Sequence, residues 1–323
     1  MNDIQPRLVL QIPMYPGESW VSFFYRVGVH NYDEAFRLVE GICREYLRNQ
    51  QIKDNFLCPQ LPKTMSFLGN LTWVSEQQVY EATLHRFAPT LTPFSHPITS
   101  IEFCDGVSRP VLEATKHHQF VAPHEARFCP LCLREQPFHR LDWSLNLILA
   151  CRKHQCLLAN CCPACGSALT IPSIVNTECQ KCHASLLKTR VTSLRNDILG
   201  LYSQETLASW LAGELETESR DLLEIPDVSA RAAYTFISGL VQAMRNRDIG
   251  EALHSPDIDW KAQNKRTFRP NFELYYDYQV VTTALKAVAN WPRSFYEFLD
   301  HYRVLPERWL SGGLQTHFRL AQR

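Results

Sequence analysis

The sequence predicts a mainly α protein with a small β insert. An N-terminal helical lobe of helix-turn-helix type is followed by a central knuckle-bearing module and a C-terminal helical lobe. Three observations carry that prediction. Cysteines and histidines fall in four short pairs within residues 129–182. Apolar residues recur at helical spacing on both sides of that stretch. Glycine is scarce, at 12 of 323 residues, while 17 Phe, 12 Tyr and 7 Trp supply bulk, a balance that suits helices better than a turn-rich sandwich. Composition and pattern change near residues 118 and 190, which divides the chain into segments 1–118, 119–190 and 191–323.

In the first segment, Trp20, Phe23, Phe24 and Val27 occupy i, i+3, i+4 and i+7 and predict one helix with an apolar stripe. Asp33 can cap a second helix with Phe36, Val39, Cys43, Tyr46 and Leu47 on its inner face. Pro59 and Pro62 mark residues 51–63 as a connector, and Cys58 reads as a small apolar residue. A short helix follows from Met65 and ends near Gly69. Ser75 with Gln78 three residues on is a capping box for a further helix through about His85. Two short helices joined by a tight turn are the core of a helix-turn-helix, and the second would offer Glu76, Gln77, Gln78, Glu81 and His85 to solvent. Residues 87–118, with four prolines and little periodicity, read as a linker or extended arm.

The middle segment contains Cys129-Pro130-Leu131-Cys132, Cys151-Arg152-Lys153-His154, Cys162-Pro163-Ala164-Cys165 and Cys179-Gln180-Lys181-Cys182. A two-residue gap lets both side chains of a pair converge on one tetrahedral ion. Eight donors fill two closed four-coordinate sites, so the expected cofactor is two structural Zn2+ ions in a ribbon of short β-hairpins. Sequential pairing joins Cys129, Cys132, Cys151 and His154 in one site and Cys162, Cys165, Cys179 and Cys182 in the other. A cross-braced scheme joins the first pair to the third and the second to the fourth. Both yield one site of three cysteines plus histidine and one of four cysteines, so metal content does not separate them. Cys156 could displace His154 as a ligand, whereas Cys161 and His183 are expected bystanders. Trp143 is expected to pack on the knuckles as a small core. The competing reading, a disulfide framework, needs an oxidising compartment, and residues 1–30 contain no signal peptide. No apolar run approaches the ~20 residues needed to span a bilayer.

From Val191 onward the pattern turns helical again. Ile198, Leu199, Tyr202, Leu207, Trp210 and Leu211 form one apolar set that Gly200 is expected to divide. Asp227 can cap a helix carrying Ala230, Tyr234, Ile237, Leu240, Val241 and Met244. Residues 248–269 read as loop. The last helices cover about Phe272 to Ala289 and Pro292 to Tyr302, and Phe295, Tyr296, Phe298 and Tyr302 are expected to pack in the core.

Formal net charge is zero. Residues 1–119 carry 10 basic and 12 acidic groups, residues 120–190 carry 8 and 4, and residues 191–323 carry 15 and 17. Seven thiolates and two Zn2+ ions would lower the +4 of the middle segment to about +1. A protein that grips DNA alone usually shows a strong basic footprint, so the charge pattern favours protein partners. Arg127, Arg134, Arg140, Arg152 and Lys153 could each meet nucleic acid or simply solvate a face. Enzyme chemistry is disfavoured, because catalytic zinc keeps a position open for water and both sites here can be filled. The zinc-deaminase signature is missing as well: His124 and Glu125 are adjacent, and the knuckles read Cys-Pro.

Three stretches make the chain resemble the TniQ family, whose larger relatives include the TnsD target selectors of heteromeric DDE transposons. Pro16-Gly17-Glu18-Ser19-Trp20-Val21-Ser22 followed by Arg26 resembles the family's N-terminal signature. The run from Arg127-Phe128-Cys129-Pro130 through Trp143, Cys151, His154 and Leu158 to Cys162-Pro163-Ala164-Cys165-Gly166 resembles its zinc region. Trp291-Pro292-Arg293-Ser294-Phe295-Tyr296-Glu297-Phe298-Leu299 is similar to its C-terminal helix. The resemblance implies a bacterial, cytoplasmic adaptor without catalysis of its own. It would mark an insertion site and recruit the AAA+ ATPase TnsC. It implies either carriage by a CRISPR effector complex (Cascade-like) with its guide RNA, commonly as a homodimer, or direct recognition of target DNA. Modest length and near-neutral charge favour the CRISPR-docked type. The alternative is a sequence-specific DNA-binding selector or regulator using the helix-turn-helix and the knuckles.

Overall fold

A computed structural model of the chain describes residues 8–31, 58–59, 62–92, 96–113, 126–213, 229–246, 270–290 and 292–301. Helix predominates, with two small antiparallel sheets among the described residues. The helix predicted after Asp33, the Asp227 cap, the loop 248–269 and Tyr302 lie outside the described residues.

Helix α1 (Trp20–His30) begins where Ser19 accepts the backbone N–H of Ser22, and its apolar stripe of Trp20, Phe23, Phe24 and Val27 is buried. That stripe packs with Met65, Leu68 and Leu71 of α2 (Pro62–Thr72) and with Val79 and Tyr80 of α3 (Glu76–Glu81) in one apolar cluster. Helix α2 runs past Gly69 to Thr72, and Ser75 and Gln78 form the predicted capping box at the start of α3.

The sequence expectation fails at the end of α3. The helix stops at Glu81, and Leu84–Phe87 forms a 3-10 turn leading into the single turn α4 (Ala88–Leu91). Residues 87–118 are therefore no plain linker: β1 (Thr99–Glu102) and β2 (Ser108–Val111) make an antiparallel hairpin that folds back on the helices. The hairpin removes one residue expected in solvent, Glu76, and engages a second, Gln77, that stays exposed. Glu76 is buried and accepts the Asp105 N–H at 2.9 Å, and Gln77 accepts from Arg109 Nε at 2.7 Å. His85 is buried as well, because Leu112 N donates to its Nδ1 (3.0 Å) while its Nε2 faces the Pro59 carbonyl (2.5 Å). Burial pushes the His85 pKa below the usual imidazole value, against the Pro59 contact.

The middle segment is stitched from α5 (Pro130–Glu135), the short hairpin β3 (Ala150–Cys151) with β4 (Cys156–Leu157), and α6 (Ile171–Val175). Its core is larger than Trp143 alone. Trp143, Leu145, Leu147, Ile148, Leu149, Leu157 and Leu158 are buried in one cluster with residues of the C-terminal helices.

Those helices are α7 (Ile198–Ala212), α8 (Ala230–Asn246), α9 (Pro270–Val288) and α10 (Arg293–His301). Helix α7 is continuous through Gly200, contrary to the expected break. The glycine lies against the Tyr278 hydroxyl of α9, and a side chain there would occupy the same space. Of the expected apolar set, Leu207, Trp210 and Leu211 are buried, while Ile198 and Leu199 are exposed. Ala230, Tyr234, Ile237, Leu240, Val241 and Met244 are all buried along α8. Phe295 and Phe298 of α10 are core residues and Tyr296 is exposed.

Candidate metal centre

The first donor set converges from two elements. Pro130 opens α5, and Cys129 caps it, its sulfur accepting the Cys132 N–H at 3.4 Å. Cys151 ends β3, and the turn to β4 swings His154 back toward it, with Gln155 taking a positive φ of 49°. His154 Nδ1 then lies 3.4 Å from Cys129 Sγ, 3.3 Å from Cys132 Sγ and 3.7 Å from Cys151 Sγ, while Cys132 and Cys151 are 3.6 Å apart. Around one zinc ion, Zn–S near 2.3 Å and Zn–N near 2.0 Å require tetrahedral edges of about 3.8 Å for S–S and about 3.5 Å for S–N. The observed spacings fit such a site.

The second set comes from two loops flanking α6. Cys162 Sγ is 3.5 Å from Cys182 Sγ, and Cys165 Sγ is 3.8 Å from Cys179 Sγ. Within each set of four, every donor atom is within 4.8 Å of every other. The structure thus gathers all eight predicted residues and groups them sequentially, so the cross-braced scheme does not apply. Both groups could hold a metal ion, with four protein donors and no vertex reserved for water.

Electrostatics within the first set are those of crowded thiols. Cys129 is pushed far below the usual thiol range, chiefly by hydrogen bonds from Cys132, Cys151 and Cys156, and Cys132 is pushed far up by the same sharing. One thiolate is therefore favoured over four until a cation arrives. In the second set burial opposes ionisation of Cys179. The Ser167 hydroxyl and the backbone N–H groups of Cys182 and Lys181 nevertheless bring it down to about 6.

Two outer contacts escaped sequence reading. Glu135, at the end of α5, accepts from His154 Nε2 at 3.0 Å and from Lys153 Nζ at 2.5 Å. A carboxylate behind the outer imidazole nitrogen fixes the tautomer that presents Nδ1 to a metal. Lys153 first, and then His154, hold the Glu135 carboxyl below its usual range. Ser167 Oγ sits 3.1 Å from Cys165 Sγ and 3.4 Å from Cys179 Sγ. Of the spare groups, His183 turns away to Glu178 at 2.6 Å, and Cys161 pairs backbone with Ala168. Cys156 lies 3.5 Å from Cys129 Sγ.

The five basic groups singled out in the sequence each have partners within the fold. Arg127 is buried and donates to the carbonyls of Leu145 (3.1 Å) and Ile148 (3.3 Å). Arg134 holds Leu187 O and Thr189 O, Arg152 forks onto Glu205, Lys153 meets Glu135, and Arg140 faces Asp142 at 3.8 Å.

The N-terminal Pro-Gly-Glu-Ser-Trp stretch proves to be a joint. Glu18 is buried and accepts from Arg26 Nε (2.8 Å), Arg26 Nη2 (2.6 Å) and Ser22 Oγ (2.8 Å). The same segment docks on the loop before Trp143. Leu141 N donates to Gly17 O (2.9 Å), Ser19 N to His139 O (2.9 Å) and His139 N to Ser22 Oγ (3.0 Å). Helix α6, between the halves of the second donor set, leans on α1, and Asn176 Nδ2 reaches Tyr25 Oη at 2.7 Å.

No curated protein matches the chain. Residues 9–158 match the TniQ family, a span that takes in the Glu18–Arg26 joint and the first donor set and ends before the second.

Proposed function

Starting from the membership of residues 9–158 in the TniQ family, which marks target-selection proteins of transposons, we propose that the chain is a non-catalytic adaptor in transposition. It links a targeting complex, a CRISPR RNA-guided effector, to the AAA+ regulator TnsC and so to the transposase. Two Zn2+ ions, held by Cys129, Cys132, Cys151 and His154 and by Cys162, Cys165, Cys179 and Cys182, act as structural clamps. With four protein donors each, they would supply rigidity and no open position for chemistry. The observation that carries the adaptor reading is the family span joined to a braced module in which Arg127, Arg134, Arg140, Arg152 and Lys153 are engaged within the fold. Such a surface suits protein contacts better than phosphate neutralisation.

Reconstitution tests it: TnsC should assemble at target DNA only when this chain and the targeting complex are both present. Equal TnsC recruitment without the chain would overturn the reading.

A second reading, direct DNA contact, is favoured by one feature. Lys181, Lys188, Arg190 and Arg195 are all exposed, and no acidic residue lies between Glu178 and Asp197. It predicts a mobility shift on free duplex that weakens steeply with salt. Absence of binding at low salt would dismiss it.

A further inference from the structure

We propose that Cys156 is a fifth, reserve donor of the first metal site, placed to take the vertex of His154. The proposal rests on the zinc reading given above. Cys156 Sγ stands 3.5 Å from Cys129 Sγ, the spacing shown by donors that share a site, such as Cys132 with Cys151 (3.6 Å) and Cys162 with Cys182 (3.5 Å). Its position follows from the β3–β4 hairpin, where Cys151 and Cys156 are cross-strand partners and their side chains leave the same face. The thiol is fully buried, so the site rather than solvent is its neighbour.

The imidazole is the donor most open to replacement. His154 Nδ1 is 3.4 Å from the same Cys129 sulfur, so His154 and Cys156 flank one ligand. His154 sits at the rim, its side chain 13 % exposed and its Nε2 tied to the surface carboxylate Glu135. Three thiolates and an imidazole leave a zinc site at −1, whereas four thiolates leave it at −2. In a buried apolar cluster the smaller charge is cheaper to desolvate, which keeps His154 resident and Cys156 in reserve. Cys156 Sγ lies outside the set whose donor atoms are all within 4.8 Å of one another. When the imidazole is absent, a side-chain rotation therefore carries that sulfur into the vacated vertex. The S–H proton passes to water as the Zn–S bond forms, and the outcome is a site of four thiolates.

The test uses the full chain in four forms: unmodified, His154→Ala, Cys156→Ser, and the double variant. Metal per chain is measured by elemental analysis, and the ligand set is read from Co2+-substituted spectra. The unmodified chain and Cys156→Ser should each hold two ions. His154→Ala should also hold two, with more intense thiolate-to-cobalt charge transfer and d–d bands moved to longer wavelength. The double variant should fall to one. The proposal is overturned if His154→Ala falls to one ion or is insoluble, or if it keeps two with unmodified charge-transfer intensity. Loss of an ion from Cys156→Ser would also overturn it. A metal-free unmodified chain would remove the zinc reading itself, whereas the other adverse outcomes remove only the reserve role.

Discussion

Single buried side chains set the behaviour of the joint between the N-terminal lobe and the knuckles. His139 is 1 % exposed, its Nδ1 is 3.0 Å from Ser19 Oγ, and its Nε2 has no hydrogen-bond partner among the described residues. Burial pushes its pKa down to about 3. An unfolded histidine titrates near 6.5, so between the two values the unfolded chain holds one more proton than the folded one. Stability conferred by the neutral ring is complete above pH ~6.5 and falls by about 1.4 kcal/mol per unit as pH drops toward 3. Denaturant melts from pH 7 to pH 5 should therefore show His139→Gln losing about 2 kcal/mol less than the unmodified chain. Equal losses would show that the ring is not the titrating group. The sequence marked this region only through Glu18 and Arg26, whose spacing by eight does not disclose a forked ion pair; the partner loop at 139–141 lies over 110 residues away.

At the scale of elements, α2, the turn and α3 form a unit defined by close backbone approach. A Cβ added at Gly69 would stand 2.8 Å from the Val74 carbonyl oxygen, closer than backbone tolerates. Alanine improves helix propensity by up to ~1 kcal/mol, but overpacking against a rigid carbonyl costs about 1–3 kcal/mol, so the clash wins. Gly69→Ala is expected to destabilise the chain by about 1–2 kcal/mol in thermal or denaturant melts. A neutral or stabilising result would mean that the turn yields freely. The Ser75–Gln78 box was readable, because capping is local, whereas the helix ends at Thr72 and Glu81 were not. The hairpin at 99–111 was not: its strands are four residues each, and its stability comes from Arg109 gripping Asp105 and Gln77 and from Phe103 packing on Tyr80.

Over the whole molecule, the donors and the C-terminal helices share one apolar cluster that includes Cys129, Cys151, Cys162, Tyr234, Val281 and Leu299. Gln204 of α7 crosses between them, its Oε1 accepting from Leu149 N (2.7 Å) and Ala150 N (3.1 Å) and its Nε2 donating to Leu147 O (3.1 Å). Structural zinc in small peptides contributes roughly 10 kcal/mol or more, comparable to the stability of an ordinary domain. Chelation should therefore loosen more than the knuckles. Hydrogen exchange after treatment with a strong chelator is expected to accelerate at Leu149 and Ala150 and along α7. Protection of α7 that survives complete metal removal would show that the helices hold without the clamps. No described helix is long and apolar enough to cross a membrane.

What the sequence alone determined was local: helices from 3.6-residue periodicity, the capping box of Ser75 and Gln78, and eight donors from a two-residue gap. Each of these is written within a few consecutive positions. Tertiary structure decided which pairs share an ion, which polar residues are buried, and that Gly200 serves contact rather than a break. Those outcomes depend on surfaces brought together from distant parts of the chain, and their free energy comes from burial and pairing that no local spacing encodes.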